Sequence, residues 1–170
     1  MQRVTGAALG ALKPFFEAAA EMAKQATCHN GKCGAVIVKD SEIIGRGYNG
    51  PAFDDEANRT CEKQYDLSVK PKFDKTCCTH AEWRAILEAC KQNGDRIGGS
   101  VLFFMRVNEA GEFTDAGQPY CTPCSRLTLE SGIGQFALWN YGGADIYDAS
   151  EYNQKSYEYF AIADGNIGNG

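Results

Sequence analysis

Apolar side chains recur at helical intervals in KPFFEAAAEMAKQAT, residues 13–27, where Phe15, Ala18, Ala19, Met22, Ala23 and Ala26 share one face. Pro14 suits the first turn of such a helix. Before it, VTGAALGAL is apolar but short. Lys13, Pro14 and Glu17 follow with no clear cleavage site, so it reads as a lead-in to the helix and not as a signal peptide. The period then changes. GAVIVKDSEIIGRGYNG predicts a hairpin, with AVIV and EIIGRGY as strands and Lys39 to Ser41 as the turn. From Asn49 to Thr79 no period is strong. This is a long loop with at most a short helix, and its length points to function or to a metal staple.

HAEWRAILEACKQ is helical, with Ala81, Ala85, Ile86, Ala89 and Cys90 on its apolar side. Thr79 is placed to cap it, and Glu82, three residues on, to complete a capping box. Asn93 and Gly94 end it. SVLFFMRV is a continuous apolar run, which fits a buried central strand. NEAGEFTDAGQPY is a polar loop or ribbon. CTPCSRLTLESG is a helix that packs around Leu127 and ends at Gly132. QFALWN is a strand, ADIYD a further one, and SEYNQKSYEYFA a tyrosine-rich terminal helix before a frayed tail at 164–170. Helices alternating with strands after an initial hairpin predict a mixed sheet of about five strands covered on both faces. That is a three-layer α/β/α sandwich. The length, 170 residues, favours one domain spanning 1–170.

Composition narrows the function. Hydrophobic residues make up 44% and charged residues 23%, as in ordinary globular chains, and no run is long enough to cross a membrane. The net charge of −5 argues against a dedicated binder of long nucleic acid, whose phosphate contacts need a basic face, and favours a small substrate. Eight cysteines would suggest disulfides in a small secreted protein. Here Cys77 and Cys78 are adjacent, and Cys121 and Cys124 have metal-ligand spacing. A reducing cytoplasm with some thiolates on zinc is the expected setting.

Two fragments carry chemistry: HAE at one helix start and CTPC at the next. One central strand separates them, so both helix N-termini can meet at one end of the sheet, where sites form in open α/β sheets. Cys121 and Cys124, three apart, face one direction at a helix start that favours thiolates. With His80 they make three protein ligands for Zn2+ and leave the fourth position open, as a catalytic site requires. Glu82 is too close in the chain to His80 to be a fourth ligand, and is placed to carry protons for a zinc-activated water. Alone, His-x-Glu reads as a cap or surface pair, and Cys-x-x-Cys as a structural zinc half-site, a redox pair or two core thiols. The conjunction is the signature of zinc nucleobase deaminases.

With CGAVIVKDSEIIGRGYNGP followed by TCCTHAEWRAI and CTPC, the chain resembles the cytidine deaminase superfamily, most closely its deoxycytidylate (dCMP) deaminase-like branch, from about residue 14 to about 140. The resemblance implies that Glu82 protonates the ring nitrogen and then the leaving amine, that Asn49 touches the sugar, and that the Ala81 backbone lies against the pyrimidine edge. It implies hydrolysis of a free cytosine nucleotide or nucleoside, dCMP to dUMP with release of ammonia, in a homo-oligomer. Some members of that branch carry a second zinc. Here a structural zinc would draw on Cys28, His29, Cys33, Cys61, Cys77 and Cys78, with Cys28, Cys61 and Cys77 as first choices, or these are buried free thiols. Cys90 is expected in the core.

Three departures bear on the substrate. Tyr120 stands where the family has proline before the first cysteine, the preceding polar loop is long, and Arg84 stands where many members have asparagine. Arg84 is a candidate grip for a substrate phosphate, or a partner of Glu88 one turn on. The alternatives are deamination of another base, a base in RNA included, a non-catalytic zinc-binding protein of the same fold, and a cysteine hydrolase built from His80 with Cys121 or Cys124.

Overall fold

The computed structural model describes residues 1–61 and 78–159. In chain order the elements are β1 (Gln2–Val4), α1 (Gly6–Lys24), β2 (Lys32–Lys39), β3 (Glu42–Tyr48), β4 (Gly50–Pro51), β5 (Cys78–Thr79), α2 (Ala81–Asn93), β6 (Val101–Val107), β7 (Phe113–Thr114), α3 (Thr122–Glu130), β8 (Gln135–Asn140), β9 (Gly143–Asp148) and α4 (Ala149–Glu158). The main sheet runs β1-β9-β8-β6-β2-β3, with β7 added to β6. It is mixed, because β6 and β8 are parallel across the α3 connection while the other pairs are antiparallel. The five long strands are those the periodicity predicts. Strands β1 and β7 raise the number in this sheet to seven. They hold three and two residues, too few to carry a period.

The β2–β3 hairpin turns through Asp40 and Ser41, both at positive φ, which matches the right-handed twist of the strands they join. Alternation along β2 and β6 sends side chains to two cores. On one side Phe16, Ala19, Ala20 and Ala23 of α1 pack on Val36, Val38, Phe103 and Met105. On the other, Ala81, Ala85, Ile86 and Ala89 of α2, with Phe136 and Tyr152, pack on Ala35, Ile37, Leu102 and Phe104. Helix α3 lies between α2 and α4 on this second side. The three-layer sandwich is therefore present. Both coverings sit close to the sheet: a Cβ on Gly34 would lie 2.0 Å from the Ala19 carbonyl oxygen, and one on Gly47 2.2 Å from that of Ala81.

Four expectations are corrected. Helix α1 begins at Gly6, because Leu9 and Leu12 continue the stripe of Phe16 and Ala20 and pack on the same core. Pro14 consequently sits inside the helix and not in its first turn. Cys90 is exposed, because its place on α2 turns away from the stripe of Ala85, Ile86 and Ala89. The capping box at α2 does not form: the N-cap is His80, and Thr79 belongs to β5. The expected tail at 164–170 and Cys77 lie outside the described residues. No described helix is long and apolar enough to cross a membrane.

Candidate active site

Strand β5 pairs with β4 through Gly50↔Thr79 and Pro51↔Cys78, which fixes the chain just before His80. His80 is extended (φ −69°, ψ 152°), and α2 starts at the next residue. Cys121 is the N-cap of α3 and Cys124 lies in its first turn, with Pro123 between them where the helix needs no donor. None of the cap residues His80 and Cys121 uses its side chain to cap. These side chains meet each other instead. His80 Nδ1 lies 3.1 Å from Cys124 Sγ and 3.3 Å from Cys121 Sγ, and the two sulfurs are 2.9 Å apart. Among the described residues this is the group of three or more side chains placed to hold a metal ion.

Donor chemistry agrees with zinc. Cys121 is brought down to about 5, chiefly by its hydrogen bond with Cys124, against burial and with help from His80. Cys124 is pushed up, first by that same bond and then by burial. A divalent cation with an affinity for thiolate and imidazole fits this donor set. Glu82 is only 5% exposed. Burial pushes its carboxyl above the usual carboxylate range, the charge of Cys121 adds to this, and His80 opposes it. A buried carboxyl beside three metal-capable donors is an arrangement for moving protons.

Around this centre the expected residues divide. Ala81 is fully buried at the first position of α2. The Asn49 side chain is a clip at the start of β2: its Oδ1 accepts from Cys33 N (2.8 Å) and its Nδ2 donates to Gly31 O (2.9 Å). Arg84 does not pair with Glu88, which accepts from Arg46 N. Its guanidinium instead donates to both Asp54 oxygens (3.0 and 3.1 Å) and to Pro51 O (2.7 Å), and lies over the Tyr48 ring. Asp54 also accepts from Tyr48 Oη and Thr27 Oγ1. These bonds hold Phe53 and Asp54 in left-handed backbone, φ 58° and 57°, a strained conformation for both residues. Of the cysteines considered for a second zinc, Cys28, Cys33 and Cys78 are half-buried and Cys61 is exposed. They form no second metal-capable group among the described residues.

Sequence reasoning missed Asp54 and Arg106, and considered Cys33 only for a second zinc. Asp54 sits in a stretch without period and left no signal. Cys33 and Arg106 face each other across β2 and β6. Arg106 had a signal: it is a lone charge at the carboxyl end of the apolar central strand. Cys33 is pushed up to about 11 by burial and then by Glu82, with Arg106 opposing, so these groups share one electrostatic environment.

Comparison with known proteins agrees with this geometry. Residues 11–139 match the cytidine and deoxycytidylate deaminase zinc-binding region. A deoxycytidylate deaminase of Schizosaccharomyces pombe is 28% identical over 146 residues, which cover 84% of this chain and 38% of that protein. The chain thus spans well under half of that relative. A deoxycytidylate deaminase of Mycobacterium phage D29 is 29% identical over 125 residues, 70% of this chain and 86% of that one. A cytidine deaminase from Burkholderia pseudomallei has the same fold, with a TM-score of 0.53 at 18% identity, over 82% of this chain and 94% of that one. The chain belongs to the cytidine and deoxycytidylate deaminase zinc-binding family.

Proposed function

We propose, from that membership, that residues 1–170 form one zinc-dependent hydrolytic deaminase domain acting on a free cytosine nucleotide, dCMP with water giving dUMP and ammonia. The observation that carries the reading is the convergence of His80, Cys121 and Cys124 beside the buried Glu82. The names of the two deoxycytidylate deaminases it matches support the substrate.

In this reading His80, Cys121 and Cys124 hold Zn2+. Bound zinc supplies Lewis acidity, which makes water a competent nucleophile at neutral pH. Glu82 would carry one proton from the attacking water to the ring nitrogen and then the second, from the hydroxyl the water has become on the ring carbon, to the departing amine, so that ammonia leaves as the C–N bond breaks and the carbonyl forms. Its desolvated position, which raises the carboxyl above the usual carboxylate range, suits a group that gains and returns a proton. Ala81 lines the base pocket through its backbone, and Asn49 supports the sugar side. Arg84 acts through Asp54, holding the segment that carries Phe53. A second, structural zinc on Cys28, Cys61 and Cys77 and a homo-oligomeric assembly complete the reading.

An ammonia-release screen across cytosine, adenine and guanine bases, nucleosides and nucleotides tests it. dCMP is expected to react best, and reaction of non-cytosine compounds alone would refute the substrate. Glu82→Gln is expected to keep its zinc and lose roughly 10²–10⁴-fold in turnover. Unchanged turnover would refute the proton-carrier role. Metal analysis expects two zinc ions per chain; a single ion would remove the structural site.

A further inference from the structure

We propose that Arg106 is the phosphate-binding residue of this site, gripping the 5′-phosphate of the nucleotide in a cavity next to the metal-ligand cluster. The inference rests on the reading of the substrate as a cytosine nucleotide. Two arginines stand near the candidate centre, and their surroundings differ. Arg84 is ion-paired with Asp54 and also donates to Pro51 O. Arg106 makes no ion pair among the described residues and is half-buried.

Its position points at the site. Along β6, Leu102 and Phe104 face the α2 side and Phe103 and Met105 the α1 side, so alternation sends Arg106 to the α2 side. There it borders a cavity of about 360 Å³, together with Asp115, Gln118, Tyr120 and Tyr159. That volume is within the range of small-ligand sites, roughly 300–1,000 Å³. Tyr120 precedes the candidate ligand Cys121 in the chain, and its ring lies 5.7 Å from that of Tyr159. Tyr120 thus ties the cavity's lining to the candidate ligand, and its phenol feels the charges of Glu82 and Cys121. Asp115, the carboxylate on its lining, accepts from Tyr141 N at 2.6 Å and is tied to the turn after β8.

Arg106 shares the cavity with Asp115 but forms no ion pair with it, and its hydrogen bond with Cys33 leaves guanidinium donors for an anion. Phosphate fits, because guanidinium binds two of its oxygens through a planar fork. Need reinforces fit: at a net charge of −5 the chain repels a nucleotide at long range, and a local cation must hold it.

Calorimetric titration of the zinc-loaded protein with dUMP and with deoxyuridine reads the phosphate contribution directly. The wild type is expected to bind dUMP roughly 10–100-fold more tightly. Arg106→Gln is expected to bring the two affinities to within a few-fold. Arg106→Lys, which keeps the charge and loses the fork, falls between, and it carries the test if the glutamine variant does not fold. Zinc content and the thermal midpoint verify the fold of each variant. A dUMP preference that survives Arg106→Gln, or a wild type that binds dUMP no better than deoxyuridine, overturns the proposal. Ammonia release from dCMP judges the deaminase reading separately. No release together with an Arg106-dependent preference for dUMP leaves the phosphate site standing while that reading falls, and release without such dependence does the reverse.

Discussion

On one side of the sheet a single helix, α1, buries Phe16, Ala19, Ala20 and Ala23 against Val36, Phe103 and Met105, with no titratable side chain in that core. On the other side α2, α3 and α4 bury Glu82, Cys124, Ser125, Thr128 and Ser156 among apolar groups. Those polar groups are partnered: Ser125 Oγ bonds Thr122 O, Asn153 Oδ1 and Ser156 Oγ, and Thr128 Oγ1 donates to Cys124 O. Both helices that press on the sheet do so with alanines over glycines, so the means of close approach is common to the two faces. What differs is which end of the helix matters. Helix α1 contributes its length to packing, whereas α2 and α3 bring His80, Glu82, Cys121 and Cys124 together at their first turns.

If the faces divide the labour in this way, they break differently. Cys124→Ala removes one of three donors and leaves His80 and Cys121 without the geometry for zinc. Zinc content and ammonia release are both expected to fall, by more than the roughly 10–100-fold that loss of an outer-shell partner causes. Elemental analysis with a coupled ammonia assay measures this. Phe16→Ala acts on the opposite face. Phe16 is fully buried, with its ring edge-on to Phe103 and Trp139. Its loss is expected to cost about 3–5 kcal/mol in urea unfolding. Zinc stoichiometry should stay at the wild-type value below the unfolding transition. A Phe16→Ala protein that folds but loses zinc would show that the faces are coupled.

The same division explains what the sequence made legible. The five long strands and four helices were readable because each repeats its period several times, and His80, Glu82, Cys121 and Cys124 because their residue types and spacing have a chemical meaning. Strands β1, β4, β5 and β7, at two or three residues, have no period to read. Cys90 was misplaced because helical periodicity locates a stripe better than its edge, and a cysteine at the edge fits either side. Arg84 was given two partners by spacing and by chemistry, but its actual partner, Asp54, is thirty residues away in a loop whose fold depends on that contact. A long-range ion pair of this kind leaves no local pattern.

Asp54 offers a smaller test on the chemical face. Burial would raise its pKa, but hydrogen bonds from Tyr48, then Arg84, prevail and hold it below the ordinary carboxylate value. A carboxylate lowered by folding contributes stability that is fully present above its unfolded pKa, about 4, and lost as pH falls through the lowered folded value. Asp54 is partly solvated, so the contribution is about 1 kcal/mol at most. Urea unfolding at pH 7 and pH 3 should therefore show the wild type losing more stability than Asp54→Asn. Equal losses would mean that the Arg84–Asp54 contact does not hold the Phe53 segment in solution.

The smallest effect expected sharpens the boundary between the packed stripe of α2 and its outer side. With Ala85, Ile86 and Ala89 buried and Cys90 exposed, the helix places its thiol in solvent one residue beyond a fully packed position. Cys90→Ala then removes a sulfur that fills no internal space, and the change in unfolding free energy is expected to lie within about 0.5 kcal/mol. The native, zinc-loaded wild type should also react at Cys90 with a thiol reagent in minutes, while buried Cys124 is spared. A cost well above 1 kcal/mol, with a protected thiol, would instead rotate α2 so that Cys90 joins the core. His80 and Glu82 stand on the first turn of that helix, so such a rotation would swing them away from Cys121 and Cys124, and retained zinc binding would rule it out.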